Sequence, residues 1–132
     1  MKAENIKFRG KSKKTGEWLY GDLIRNVEGA FAIVPPYEIS MNNYYRNYVV
    51  DKETIGQYTG LKDKYGREIY EGDILYYRDA KIKTPVTYRN GGFYFSHYGG
   101  TTFSAIADHE INKYTVVGNI YDNKELLTQG YE

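Results

Sequence analysis

The sequence PVTYRNGGFYF at residues 85–95 decides the fold class of this chain. Two short runs rich in Val, Thr, Tyr and Phe flank Asn90-Gly91-Gly92, and an Asn-Gly pair suits the positive-φ positions of a tight turn. The stretch therefore predicts a β-hairpin. Comparable runs recur along the chain, for example at residues 6–9 and 114–121, and Gly, Asn or Asp separates them. We expect a mainly β protein, a small antiparallel β domain.

Composition excludes several classes of protein. The 132 residues are enough for about one domain. The absence of Cys excludes a disulfide scaffold, a zinc finger and thiol catalysis. The mean hydropathy is −0.68, and no apolar run reaches the roughly 18 residues of a membrane span. The first six residues lack the apolar stretch of a signal peptide. We expect a soluble protein with no membrane partner.

The charge is balanced, with 18 Lys and Arg against 17 Asp and Glu, for a net charge of +1. Proteins that bind nucleic acid usually carry a basic excess, because neutralising phosphates supplies most of their affinity. The dense basic run at residues 7–14 is interpreted as a solvated strand edge and loop rather than as a phosphate track.

Strand and turn signals divide the chain into three parts. Residues 1–58 form an N-terminal β region, with a variable polar-aromatic segment at 35–48 that follows the end of an apolar run. Residues 59–127 hold the longest series of strands, and 128–132 form a tail. Just before the tail, Asp122-Asn123-Lys124-Glu125 has capping-box spacing, which predicts one short C-terminal helical turn capped by Asp122.

Two stretches of the chain resemble each other. Gly10, Lys14, Gly16 and Tyr20-Gly21-Asp22 match Gly60, Lys64, Gly66 and Tyr70-Glu71-Gly72-Asp73, apart from one inserted residue. The two hairpins can simply use the same turn chemistry. Alternatively, the chain contains a duplicated β unit, in which case the strand order around both stretches should agree.

Three segments carry a resemblance to a known family. They are residues 55–64 with 66–74, residues 116–123 with Glu125-Leu126-Leu127, and the opening 6–9 with Tyr20-Gly21-Asp22. In this order the chain resembles the YopX-like family of bacteriophage and prophage proteins over nearly its whole length. The resemblance implies a small phage- or prophage-encoded protein without assigned activity, in the cytoplasm of a bacterial host. It also implies an SH3-type barrel in the C-terminal half, at 59–127. The strand-like runs 74–77, 86–89, 93–95, 101–106 and 114–121 could form its five-strand meander.

The residues give no support for an enzyme, and the family carries no catalytic residues that could be transferred. His109 in Asp108-His109-Glu110 faces away from its two neighbours if the segment is a strand, and no second motif completes a metal shell. The chain has no Gly-x-Ser-x-Gly elbow and no phosphate-binding Gly-rich loop. Glu68, Glu71 and Asp73 could bring two carboxylates together, but Asp73 beside Gly is better explained as a turn residue. We expect no catalytic residue, no metal and no cofactor.

The chain contains 16 Tyr, which is the unusual feature of its composition. Most should pack between strands. Tyr44, Tyr45 and Tyr48 lie outside the segments that carry the resemblance, and tyrosine suits interfaces. We therefore expect a non-enzymatic interaction module that forms a homo-oligomer and binds a phage or host protein, with these three residues as the candidate interface.

The alternative function is binding of single-stranded or duplex nucleic acid by the C-terminal barrel. Small barrels bind nucleic acid through aromatic platforms and cations. The candidate contacts are Tyr76, Tyr77, Arg78, Lys81, Lys83, Tyr88 and Arg89. The balanced net charge argues against this alternative.

Overall fold

The computed structural model describes residues 2–36, 44–97, 102–106 and 110–128. These residues form ten strands and one α-helical turn. The strands are β1 (Phe8–Lys11), β2 (Trp18–Arg25), β3 (Phe31–Val34), β4 (Gly56–Lys62), β5 (Glu68–Tyr70), β6 (Asp73–Tyr77), β7 (Ile82–Arg89), β8 (Gly92–His97), β9 (Thr102–Ala105) and β10 (Thr115–Asn119). The helical turn is α1 (Tyr44–Asn47), and 3₁₀ turns lie at Ala3–Asn5, Lys52–Thr54, Ile111–Lys113 and Lys124–Leu127.

The strands form two antiparallel sheets, so the mainly β expectation is confirmed. One sheet has the strand order β3-β2-β1-β4-β5, and the other has the order β10-β6-β7-β8-β9. The chain separates into two compact units, Met1–Tyr58 and Thr59–Glu132, and the boundary falls within β4.

The first unit is built on the β1–β2 hairpin. β1 pairs with β2 from Lys11↔Trp18 to Phe8↔Gly21, and the rest of β2 pairs with β3. The segment at 48–51 hydrogen-bonds on both of its sides: the Val50 amide donates to Phe31 O at 2.9 Å, and the Asp51 amide donates to Lys11 O at 2.9 Å. Val50 and Ile33 are buried in the core of this unit.

Strand β2 changes its partner at Gly21. A Cβ atom at this position would lie 2.1 Å from Val34 O, well inside van der Waals contact. Only glycine therefore lets β2 approach the end of β3 this closely.

The second unit contains a meander of β6, β7, β8 and β9. Its core is formed by side chains that are at most 2% exposed: Ile69, Leu75, Val86, Phe95 and Ile106. The predicted 85–95 hairpin is present as β7 and β8, and Asn90 (φ 50°) and Gly91 (φ 81°) form its turn. The register of β10 shifts between Val116 and Gly118, which marks a bulge or irregularity in its pairing with β6.

The SH3-type barrel expected at 59–127 is not confirmed, because the sheet is not closed. Its outer strands are β10 and β9. All five predicted strand runs are present in this sheet, and β10 returns to pair with β6 instead of following β9. The buried Asp63 carboxylate accepts from the Val116 amide at 2.9 Å and so ties β10 to the β4–β5 turn. This long-range bond has no signal in local sequence patterns.

The C-terminal helical turn is present as the 3₁₀ turn Lys124–Leu127, but the predicted cap is wrong. The N-cap residue is Asn123, without a side-chain capping bond. Asp122 Oδ2 instead accepts from Asn119 Nδ2 at 3.2 Å. Asn119 Oδ1 accepts from the amides of Tyr121 and Asp122. Residues 119–122 therefore form an Asx turn in front of the 3₁₀ turn. Of the tail predicted at 128–132, only Thr128 is described.

The two similar sequence stretches share a turn but not their neighbours. Gly16 and Gly66 have φ values of 77° and 79°, and each donates its amide to the carbonyl of the residue that opens the turn, Ser12 or Asp63. The strand orders differ, because β2 lies between β1 and β3 whereas β6 lies between β10 and β7. This difference favours shared turn chemistry over a duplicated unit.

Candidate interaction surfaces

The three tyrosines of the candidate interface lie on one short segment next to β3. Tyr44 and Tyr45 begin α1, and their side chains lie outside the described part of the chain. Tyr48 is half-buried, and its carbonyl accepts from the Ile33 amide at 3.0 Å. Arg46 and Asn47, which lie between them, are exposed. The segment is therefore attached to the sheet through Tyr48.

The seven candidate nucleic-acid contacts do not form one platform. Neighbouring residues of a strand point to opposite faces, so Tyr76 and Tyr77 separate. Tyr76 pairs directly with Lys83 across the β6–β7 ladder. Tyr77 stacks on Tyr114 with ring centroids 5.1 Å apart, and Tyr114 stacks on buried Phe95 at 5.0 Å. Burial raises the pKa of Tyr114, and the charge of Tyr77 makes a smaller contribution in the same direction. Tyr77 therefore belongs to the packed side of the sheet.

The remaining candidate contacts lie at two other places. Tyr88 is half-exposed and packs edge-on against Phe93, with ring centroids 5.3 Å apart. The guanidinium carbon of Arg89 lies 3.8 Å from the centre of the Phe103 ring. Arg78 and Lys81 are exposed in the β6–β7 turn. The set is thus divided between two sheet faces and a turn.

The carboxylates of Asp73 and Glu68, two of the candidates for catalysis, accept hydrogen bonds within the β5–β6 segment. Asp73 is buried, and its Oδ2 accepts from the Tyr70 amide at 2.7 Å. Glu68 Oε1 accepts from the Tyr70 hydroxyl at 3.2 Å. Their contacts fit the turn interpretation of Asp73.

Sequence reasoning overlooked the buried carboxylate of Asp63. Its Oδ1 accepts from the amides of Tyr65 and Arg67, both at 2.9 Å, and its Oδ2 accepts from Arg67 Nε at 3.0 Å and from the Val116 amide at 2.9 Å. Burial by itself raises the pKa of Asp63, but these hydrogen bonds outweigh it and hold the pKa below its usual value. The available sequence signal was an Asp three residues before a turn glycine.

The same turn presents an aromatic side chain that sequence reasoning also passed over. Tyr65 is 67% exposed. Lys64 Nζ lies 5.6 Å from its ring centre, and the guanidinium carbon of Arg67 lies 5.4 Å away.

Of the three residues considered as metal ligands, the structure describes only Glu110. His109 and Asp108 lie outside the described residues. Within the described ranges, no group of three His, Cys, Asp or Glu residues is placed to hold a metal ion. No helix formed by these ranges has the length and apolarity needed to cross a membrane.

Comparison with known proteins identifies a family and a similar solved structure. The family model described as YopX protein matches residues 7–128. The crystal structure of protein EF1440 from Enterococcus faecalis is similar over 92% of this chain and 97% of its own, with 29% sequence identity and a TM-score of 0.60. No curated protein matches the chain. The family resemblance predicted from the sequence is confirmed.

Proposed function

The chain belongs to the YopX family, which is associated with bacteriophages and prophages, and from this premise we propose that it is a phage- or prophage-encoded interaction module without enzymatic activity. In this proposal the protein associates with itself and binds a phage or host protein in the cytoplasm of the bacterial host.

The outer strand β9 is the observation that carries self-association. Thr102–Ala105 pairs with β8 from His97↔Thr102 to Tyr94↔Ala105 and is the outermost strand of the described sheet. Its sequence, TFSA, contains no charged residue and no proline. Proteins usually protect an outer strand with such residues, because the edge of a sheet can accept another strand.

A charged residue on β9 tests the proposal. Light scattering of the full chain should give a mass of about twice 15.3 kDa or more at micromolar concentration. Ala105→Lys should return the mass to that of the monomer, because a lysine on an outer strand opposes strand pairing. Ala3→Lys, an exposed position far from β9 in sequence, is the matched control and should leave the mass unchanged. A wild-type mass of 15.3 kDa would remove the proposal.

The tyrosine segment is the proposed second contact. Replacing Tyr44 and Tyr45 with Ala should weaken association while the melting temperature stays within a few degrees of wild type, because an interface side chain contributes to binding rather than to folding. Tyr58→Ala, at a position 3% exposed, should lower the melting temperature instead. Unchanged association in the double variant would remove this segment from the interface.

An SH3-type barrel at 59–127 is the alternative arrangement, in which closure of the sheet would leave β9 no open edge for self-association. It is supported by the five strands β6–β10 in that range and by the return of β10 to β6. Hydrogen exchange of the dilute monomer distinguishes the two arrangements. Slow exchange along both edges of β9 would favour a closed barrel, whereas fast exchange along one edge is what strand-mediated association requires.

A further inference from the structure

Three segments of the second unit meet at one end of strand β6. The Lys64 amide, in the β4–β5 turn, donates to Tyr114 O at 2.8 Å. The Tyr114 ring stacks on Tyr77, the last residue of β6. The β6–β7 turn at residues 78–81 follows directly. The two turns and the 3₁₀ segment Ile111–Lys113 therefore lie side by side.

This end of the unit carries an excess of positive charge. The described residues of these segments include five cations and three carboxylates, a difference of two positive charges: Lys64, Arg67, Arg78, Lys81 and Lys113 against Asp63, Asp79 and Glu110. Asp63 pairs with Arg67, and Glu110 pairs with Lys113. Glu110, with a further contribution from Asp79, raises the pKa of Lys113. The cations Lys64, Arg78 and Lys81 are exposed.

The opposite end of β6 is acidic. Asp73 is the first residue of the strand, about 13 Å from Tyr77 at the usual rise per residue. The Ile120 amide donates to Gly72 O at 2.9 Å, which brings the 120–125 turn to this end. The charged residues there are Glu71, Asp73, Asp122 and Glu125 with Lys124. The balanced net charge of the chain thus conceals a separation of charge along the second unit.

The β4–β5 turn holds its exposed side chains on a fixed backbone. The carboxylate of Asp63 binds the amides of Tyr65 and Arg67, so the turn is rigid even though Tyr65 is 67% exposed. The ring of Tyr65 makes contact with two cations and lies in a position open to a further planar group.

Lys81, in the β6–β7 turn at this end of the unit, has an unusual backbone conformation. Its φ of 55° lies in the left-handed region, which glycine adopts without penalty and lysine does not. The Lys81 side chain is exposed in this turn, so its charge is available to a ligand.

We propose that this basic end of the second unit, formed by Lys64, Tyr65, Arg67, Arg78, Lys81 and Lys113, binds single-stranded nucleic acid. This role goes beyond the proposed self-association. The cations contact successive phosphates, and Tyr65 stacks on a base, an interaction stronger than the exposed cation–π contact that it replaces. An acidic protein surface would satisfy the cations but would leave the tyrosine ring without a stacking partner. The described loops offer no helix to enter a duplex groove, so a single strand is favoured.

Fluorescence anisotropy of a labelled single-stranded 15-mer of deoxythymidine, titrated with the full chain at low salt, tests the proposal. The triple variant Lys64→Gln, Arg78→Gln, Lys81→Gln should bind at least tenfold more weakly. The plot of log affinity against log salt should become shallower, with the magnitude of its negative slope smaller by about 2 for three lost phosphate contacts. The matched control, Lys2→Gln, Lys13→Gln, Lys52→Gln, removes the same charge from exposed positions of the first unit and should change the affinity less than twofold.

Three single variants separate binding from folding. Lys81→Gly should weaken binding while the melting temperature stays the same or rises, because it removes a side chain and relieves the left-handed backbone. Tyr65→Ala should weaken binding without changing the salt slope, and Tyr65→Phe should retain it.

Four outcomes would overturn the proposal. They are no anisotropy change at low salt, an equal loss in the control triple, tighter binding of a matched duplex than of the single strand, and displacement of the 15-mer by polyglutamate at equal charge concentration. The last result would assign the basic end to an acidic protein partner.

Discussion

Asp63 shows how one side chain can join distant parts of this chain. Its two carboxylate oxygens accept four hydrogen bonds, three from its own turn and one from Val116 on β10. The side chain is 0% exposed, so these bonds are not shared with solvent. A buried carboxylate remains charged only when such donors surround it, which assigns Asp63 a structural role.

Asp63→Asn should lower the free energy of unfolding at pH 7 by about 2 kcal/mol, because charge-assisted bonds are lost and the new amide faces two donors. The pKa of Asp63 is lowered in the folded state, so its stabilisation is present above the unfolded pKa and is lost as the pH falls through the folded value. Urea denaturation at pH 7 and at acid pH checks this. The difference between variant and wild type should shrink as the pH falls below 3.8.

Asp79→Asn is the control for this measurement, since Asp79 is exposed in the β6–β7 turn. It should leave the stability at pH 7 within about 0.5 kcal/mol of wild type. A pH-independent difference for the Asp63 variant would contradict the proposed role of its charge.

At the scale of elements, strands are predictable from local patterns, but their neighbours are not. Alternation and turn residues predict the β7–β8 hairpin, because strands joined by a two-residue turn must pair with each other. The position of β10 depends on a bond to Asp63, 53 residues away. Strand β2 likewise pairs with β1 along its first half and with β3 along its second half. The change of partner is possible because Gly21 has no Cβ to collide with Val34 O.

Gly21→Ala should destabilise the first unit by about 2–3 kcal/mol, because the new Cβ would collide with Val34 O and force β2 and β3 apart. Gly29→Ala is the matched control. Gly29 also has a positive φ, but no atom lies within 4 Å of its Cβ position, so only the backbone penalty of about 1 kcal/mol applies. Thermal denaturation followed by circular dichroism measures both. Equal effects would show that the close approach to Val34 does not matter.

At the scale of the whole molecule, each compact unit has its own buried residues. The cluster around Phe95 and Leu75 lies within Thr59–Glu132, and the buried pair Ile33 and Val50 lies within Met1–Tyr58. We therefore expect the two units to differ in their local free energy of unfolding.

Phe95→Ala should cost about 3–5 kcal/mol, because it removes a fully buried ring that also stacks on Tyr114. Hydrogen exchange followed by mass spectrometry should show faster exchange in β6–β8 and a smaller change in β1–β3. Val50→Ala is the reciprocal variant and should give the opposite pattern. A uniform increase in both variants would mean that the two units unfold as one.

The candidate sites divide in the same way between local and distant causes. Arg78 and Lys81 could be selected from the sequence because they adjoin a predicted strand end, and the structure places both in an exposed turn. Their proximity to Lys64 and Tyr65 could not be predicted, because it depends on the Lys64 amide reaching Tyr114 O. The alternation that places Tyr76 and Tyr77 on opposite faces was readable, but not the stacking of Tyr77 on Tyr114.

The sequence by itself determined the β class, the Asn90-Gly91 turn and the family, because these depend on residues within a few positions of one another or on ordered motifs. Only the tertiary structure decided that β10 pairs with β6, that the sheets stay open, that Asp63 is buried and that the Lys64 amide reaches Tyr114 O. The physical reason is that backbone conformation is set by local sterics and turn chemistry. The partner of a strand or carboxylate is instead set by the packing of the whole core.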